Sequence, residues 1–271
     1  MSDWSYLLAR PPLWLRTALP TAFFAILLAI WEAVVRLGHV SPLILPTPSA
    51  VASDLWLHAG TLLWSTWNTF VVTVEAFAIG SVAGIVLAIL FSRSRLLDLS
   101  VSPLMVLTQV TPTVAIAPLV LVWVGVDNVN AAILILAAII AFFPVTANTM
   151  MGLKSVSHDL HDLFTVRRAS SWQRLVLLEL PAAMPYTLSG MKLAGGLALV
   201  GAVVAEFVAG SGTDAGLAWR ISEAANRLNT PRMFASLFLL GLLGVGISGL
   251  LSLVQYLCLR RWHEAAIVRD R

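Results

Sequence analysis

Long apolar runs separated by short charged segments set the plan of this chain. The stretches 99–126, 128–153 and 233–259 carry no formal charge. Each exceeds the roughly 18 apolar residues that cross a bilayer core about 30 Å thick. Extending the same criterion predicts six spans, at 18–35, 63–91, 101–126, 131–151, 184–208 and 233–259. The second run is longer than a crossing needs and should tilt or protrude.

Composition agrees. Of 271 residues 59% are hydrophobic and 11% charged, with mean hydropathy +0.88, which excludes an ordinary soluble domain. The expected class is an all-α integral membrane protein. Residues 1–17 form an interfacial N-terminal segment, with Trp4, Tyr6 and Trp14 among Arg10 and Arg16. A six-helix transmembrane domain covers 18–259, including a polar loop at 154–183, and 260–271 form a tail. The first apolar run lacks a signal-type cleavage site and is read as a retained helix.

Placing both termini in the cytoplasm puts 12 Lys and Arg on the inner side against 4 on the outer, the positive-inside bias of an even number of spans. The net charge of +3 and pI near 9.5 are spread along loops, which argues for topology and against nucleic acid. Cys258 is the one cysteine, so no intrachain disulfide forms.

The most informative polar stretch is 162–181, DLFTVRRASSWQRLVLLELP, a charged helical element between two spans. Ser170 and Gln173 have capping-box spacing, and Pro181 and Pro185 should bend the chain into the next span. Such a handle suits a soluble partner that grips it. On the outer side, Ser49 is expected to cap a short helix beginning near Ala50, and a polar helix is expected from Leu217 to Leu228. Its charged and amide residues suggest a surface for a partner.

Catalytic chemistry is sparse. The two lysines, Lys154 and Lys192, do not follow glycine, so no P-loop is present, and Ile267 stands where a zinc-binding HExxH helix needs its second histidine. His158, Asp159, His161 and Asp162 read as a solvated face. No cofactor is expected in the chain.

Several polar groups remain at membrane depth. Glu75 is read as an interhelical hydrogen-bond partner, and Glu206 as lining an entrance or touching headgroups. Pro112 and Pro118 should distort the third span. That makes Gln109, Thr111 and Thr113 candidates for a translocation path, with Asn148 in the fourth span and Glu206 in the fifth. Small residues at 195–202 and 241–249 favour close helix contacts or a dimer.

The polar loop resembles the cytoplasmic motif E-A-A, three residues, G, nine residues, I-x-L-P of permease subunits in ATP-binding-cassette importers. Asp162, Leu163 and Phe164 stand for E-A-A, Arg168 for the glycine, and Leu178 to Pro181 for the last part. LILPTPSAV, ASSWQRLVLLELPAAMPYTLSGMKLA and GAVVAEF are similar to the branch importing nitrate, alkanesulfonates, taurine, thiamine precursors and riboflavin. FFPVTANTMMGL resembles the pyrimidine-precursor and flavin importers within it.

The resemblance implies a type I importer permease fold (MetI-like) in a bacterial inner membrane. It implies two ATPase subunits that bind ATP and Mg, an external substrate-binding protein and a second permease copy. It also implies a coupling helix over 162–171, formed by Asp162, Leu163, Phe164, Arg167, Arg168, Ala169, Ser170 and Ser171. The rival reading is an ATP-independent secondary transporter or channel. That reading predicts paired inverted halves and more intramembrane ionisable groups, and neither is evident.

Overall fold

The computed structural model describes residues 13–94, 96, 97, 99, 100, 103, 113–125, 128–209 and 215–260. Among them the regular structure is helical. In chain order the helices are α1 (Leu13–Leu37), α2 (Pro48–Leu57), α3 (Ala59–Ser92), α4 (Thr113–Val124), α5 (Val129–Leu153), α6 (His158–Val166) and α7 (Ser171–Arg174). A π-helical turn, Leu175–Glu179, leads into α8 (Leu180–Ala209), followed by α9 (Leu217–Asn226) and α10 (Thr230–Leu259).

Five helical stretches among the described residues are long and apolar enough to cross a membrane. They correspond to the expected spans one, two, four, five and six. Of the third expected span, 101–126, the helix α4 is described, and it continues through Pro118 without interruption. Residues 1–12 and 261–271 lie outside the described residues, as do Gln109, Thr111 and Pro112.

The bundle is organised around α5 and α8, which pack along each other, with α3 against both and α4 against α5 and α8. Lipid is as apolar as the side chains, so burial alone gives helices little reason to associate, and close packing of small residues takes over. Ala76 of α3, Ala137 and Ala141 of α5, and Ala194, Ala198 and Ala202 of α8 are all buried. Gly190 marks the tightest kind of crossing: a Cβ there would stand 2.8 Å from Asn148 Cβ and 2.8 Å from the Pro144 carbonyl.

The two runs of small residues behave differently. Gly195 and Gly201 meet Leu251 and Ala137, whereas Gly241, Gly246 and Gly249 face open space. The second run therefore packs within this chain on one side only: a Cβ on Gly244 would stand 3.3 Å from Leu199 and Ile247 is buried beside Gly195, while those three glycines face away from the bundle. Helices α1 and α10 lie at the periphery, each with an exposed face that includes Phe23, Ile26 and Ile30 on the first and Leu242, Val245 and Leu253 on the second.

Two local expectations are corrected. Thr47, not Ser49, caps α2: its hydroxyl accepts from the Ala50 N–H at 3.2 Å. Ser49 is drawn instead to Glu32 of α1, donating from its hydroxyl at 2.8 Å and its backbone N–H at 3.1 Å. The bend expected at Pro181 and Pro185 is a widened turn in one continuous helical stretch, 171–209. Pro181 has no N–H to donate, and its ring would strike the Leu177 carbonyl in a regular α-ladder. The chain opens by one residue at that point, and Leu180 N–H reaches the Leu175 carbonyl five residues back.

Candidate functional site

One end of the bundle carries the handle. The helix expected over 162–171 spans His158–Val166 instead, so it starts four residues earlier and ends before Arg167. Its exit is a complete Schellman motif. Ala169 N–H donates to the Phe164 carbonyl at 2.9 Å, and Arg168 N–H to the Thr165 carbonyl at 2.9 Å. This closure requires a left-handed residue, and Arg168 adopts φ 53°. The position that resembles a family glycine thus has a glycine-like backbone carrying an arginine.

The capping box at Ser170 and Gln173 is present as expected, with the two reciprocal bonds at 3.2 and 2.8 Å. Arg174 donates to Thr165 Oγ1 at 3.1 Å and fixes α7 against α6.

No residue of α6 is buried, and Leu160, Leu163 and Val166 recur on one face at three-residue spacing. Trp172 stands nearby at 71% exposure. An apolar stripe on a helix outside the spans, rimmed by the exposed Asp162, Arg167 and Arg168, has the composition of an interface rather than of a solvated connector.

Behind the handle lies a charged tie that the motif pattern does not contain. Glu179, in the π-turn, is buried and ion-paired with Arg93 at the end of α3. The pair joins the root of the handle to a second span. Beside it, Val176, Leu180 and Met184 line a pocket of about 360 Å³ with Ile85 and Thr149. The buried Thr149 hydroxyl has no partner among the described residues. The signal available in the sequence is a lone acid in the apolar string LVLLELP; its partner lies 86 positions earlier.

At the opposite end of α8, Glu206 is 3% exposed. Thr69 of α3 donates its hydroxyl to Glu206 Oε1 at 2.9 Å, and the Ala218 N–H donates to Oε2 at 3.0 Å. Thr69 Oγ1 also accepts from the Leu217 N–H at 2.9 Å. The first two amides of α9 are thus satisfied by side chains of two spans, with the carboxylate at the positive end of the helix dipole. Gly216 permits this approach, since a Cβ there would fall 2.1 Å from Glu206 Oε1. Arg220 adds a bond to Ser65 Oγ at 3.0 Å.

The polar helix expected from Leu217 to Leu228 ends at Asn226, and it is docked rather than free. Leu217, Ala218 and Ala224 are buried, while Arg227 and Leu228 stay exposed.

The remaining path candidates are dispersed. Asn148 is half-buried and donates to the Pro144 carbonyl at 2.8 Å, within its own helix at the Gly190 crossing. Thr113 begins α4. Glu206 is enclosed in this conformation. Glu75, read as an interhelical partner, is exposed on α3, and among the described residues nothing pairs with it.

Residues 80–264 match the family described as binding-protein-dependent transport system inner membrane component. A probable ABC transporter permease protein of Haemophilus influenzae is 34% identical over 83% of this chain and 90% of its own length. The riboflavin transport system permease protein of Chloroflexus aurantiacus is 32% identical over 93% of this chain and 92% of its own. The formylaminopyrimidine transport permease protein of Halalkalibacterium halodurans is 31% identical over 83% and 88%.

Proposed function

Since this chain belongs to the inner membrane components of binding-protein-dependent transport systems, we propose that it couples solute passage to a separate ATPase through the α6–α7 handle. It is a multi-pass membrane protein of the ABC importer permease class, with a transporter's role rather than a catalyst's. The observation that carries the coupling role is the uncovered stripe Leu160–Leu163–Val166 beside Trp172, on a helix with no buried residue. An apolar face of this kind outside the spans is stable when another protein covers it.

On this reading α6 seats in a groove of a cytoplasmic ATPase. Asp162, Leu163 and Phe164 lie on the helix, while Arg167, Arg168, Ala169, Ser170 and Ser171 form its exit and the next cap. Two permease copies, two ATPases and one external binding protein make the working assembly, with both termini of each permease in the cytoplasm. Closure of the ATPase pair draws the two handles together and turns the cavity outward, and opening reverses it. The permease supplies different contacts in two states and no covalent step. Gln109, Thr111 and Thr113 around Pro112, with Asn148, are the groups assigned to the path.

The solute is proposed to be a small heterocycle, a pyrimidine-type thiamine precursor or a flavin. The relatives from Halalkalibacterium halodurans and Chloroflexus aurantiacus, named for formylaminopyrimidine and riboflavin, support this choice. Relatives named for aliphatic sulfonates and taurine keep those solutes as the next to test.

Affinity purification of the chain from its own membranes tests the coupling role. A P-loop ATPase should co-purify with the wild type and be lost with Asp162→Arg or Leu163→Arg while the spans stay folded. A reconstituted chain that moves solute at full rate without an ATPase refutes the reading and restores the channel or secondary-transporter alternative.

A further inference from the structure

We infer that Glu206 and Thr69 are positioning residues that pin α9 to α3 and α8, so that a load placed on α9 from outside reaches two spans at once. This rests on the importer reading and goes beyond it, because the handle at the other end needs no such pin.

The geometry is specific. A carboxylate enclosed within an apolar stretch is costly unless something built holds it. Here the holders are a hydroxyl from α3 and an amide from α9, at 2.9 and 3.0 Å. Thr69 is shared, donating to Glu206 while accepting from Leu217 at 2.9 Å. One three-way junction thereby joins α3, α8 and the first turn of α9. Gly216 leaves the space the carboxylate occupies. Arg220, bonded to Ser65 of α3 and to Glu223, adds a second attachment one turn along.

Apolar contacts between helices can slide, whereas short directional bonds in a low-dielectric site resist displacement. The far end of α9, at Arg227 and Leu228, remains exposed and available to a partner.

The test uses the complete transporter in nanodiscs, titrated with its own binding protein as isolated, with ATP hydrolysis as the readout. Thr69→Val removes the shared hydroxyl, and Gly216→Ala displaces the carboxylate from the opposite side. Both should lower the plateau of binding-protein-stimulated hydrolysis by about fivefold or more, with the half-saturating concentration and the unstimulated rate unchanged, while the melting temperature falls because the enclosed carboxylate loses a partner. Thr69→Ser should restore the plateau.

Wild-type plateaus in both variants overturn the pin. So does a fall in plateau accompanied by weaker half-saturation and an equal fall in the unstimulated rate, which marks a general structural role. A wild-type complex that the binding protein fails to stimulate overturns the importer reading itself.

Discussion

Arg168→Gly separates what the backbone of the handle does from what its side chain does. Arg168 closes α6 at φ 53°, where an L side chain crowds the following carbonyl. Its side chain is exposed, so replacement removes no buried packing. Glycine at a left-handed position avoids the clash, and the gain exceeds the extra freedom it gives the unfolded chain. The net effect is about 1 kcal/mol in favour of the closed cap. That corresponds to roughly a fivefold change in the opening equilibrium of the last turn.

The amides to follow are Arg168 and Ala169, which donate to Thr165 and Phe164. Hydrogen exchange of the chain in nanodiscs should slow about fivefold at these amides in Arg168→Gly. It should quicken in Arg168→Val, because a β-branched residue tolerates positive φ least. Uptake by the assembled Arg168→Gly transporter should stay near wild type, since the turn's shape is preserved. Exchange as fast as wild type in the glycine variant refutes the claim that this cap stores conformational strain. Slowed exchange with abolished uptake moves the coupling role from the turn to the guanidinium.

Four further outcomes are expected. Glu179→Gln and Arg93→Gln should each lower stability to denaturant by about 2 kcal/mol, less than for a wholly buried pair because Arg93 is a third exposed. The double variant should cost little more than either alone, and strictly additive losses argue against the tie. Ser170→Ala deletes the capping-box acceptor, so the amides of Gln173 and Arg174 should open about fivefold more readily, the effect of about 1 kcal/mol; unchanged exchange there counts against the cap. Gly190→Val drives a side chain against Asn148 and the Pro144 carbonyl and should lower stability by about 2 kcal/mol. Gly241→Val, with open space around it, should leave the melting temperature of the detergent-solubilised monomer unchanged, and equal losses at the two sites defeat the packing argument.

What was legible in the chain divides by the range of the interaction. The spans were readable because a bilayer imposes one long-period requirement on every crossing segment. The Ser170–Gln173 box was readable because both partners lie within one turn. At α2 the local rule met two adjacent hydroxyls, and tertiary structure decided between them: Glu32 claimed Ser49, leaving the cap to Thr47. The bounds of α6 slipped because the motif drew attention to 162–171. Ser157 ahead of the helix and Asp159 in its first turn were start signals already present. The Glu179–Arg93 and Glu206–Thr69 contacts span 86 and 137 positions. No periodicity reports a pairing of that kind: the sequence places Glu206 at an entrance or among headgroups, and Glu179 falls outside the expected span 184–208.

These two long-range contacts give the fifth span a mechanical meaning that neither has alone. Ser171–Val208 is one apolar helical stretch of 38 residues, about 57 Å from end to end at 1.5 Å per residue. Its first turn is the capped root of the handle, and its last turns hold Glu206. Near the root, Glu179 ties it to the Arg93 end of α3; near the far end, Glu206 ties it to Thr69 of the same helix. Helices α3 and α8 are therefore bonded to each other at two separated points, and on the proposed coupling a pull on the handle would displace them together. The π-turn lies between handle and span, beside the roughly 360 Å³ pocket at Thr149. It is the element in this stretch whose ladder is already opened, so a change of pitch there costs less than elsewhere along α8. On the proposed coupling, a stroke delivered at α6 would be absorbed in part at 175–179 and transmitted in part to α9. Hydrogen exchange measured along the π-turn and α8 in ATP-bound and nucleotide-free transporters should differ most at 175–180 and least at 190–202. A uniform difference along the helix would show that it bends throughout and carries no lever.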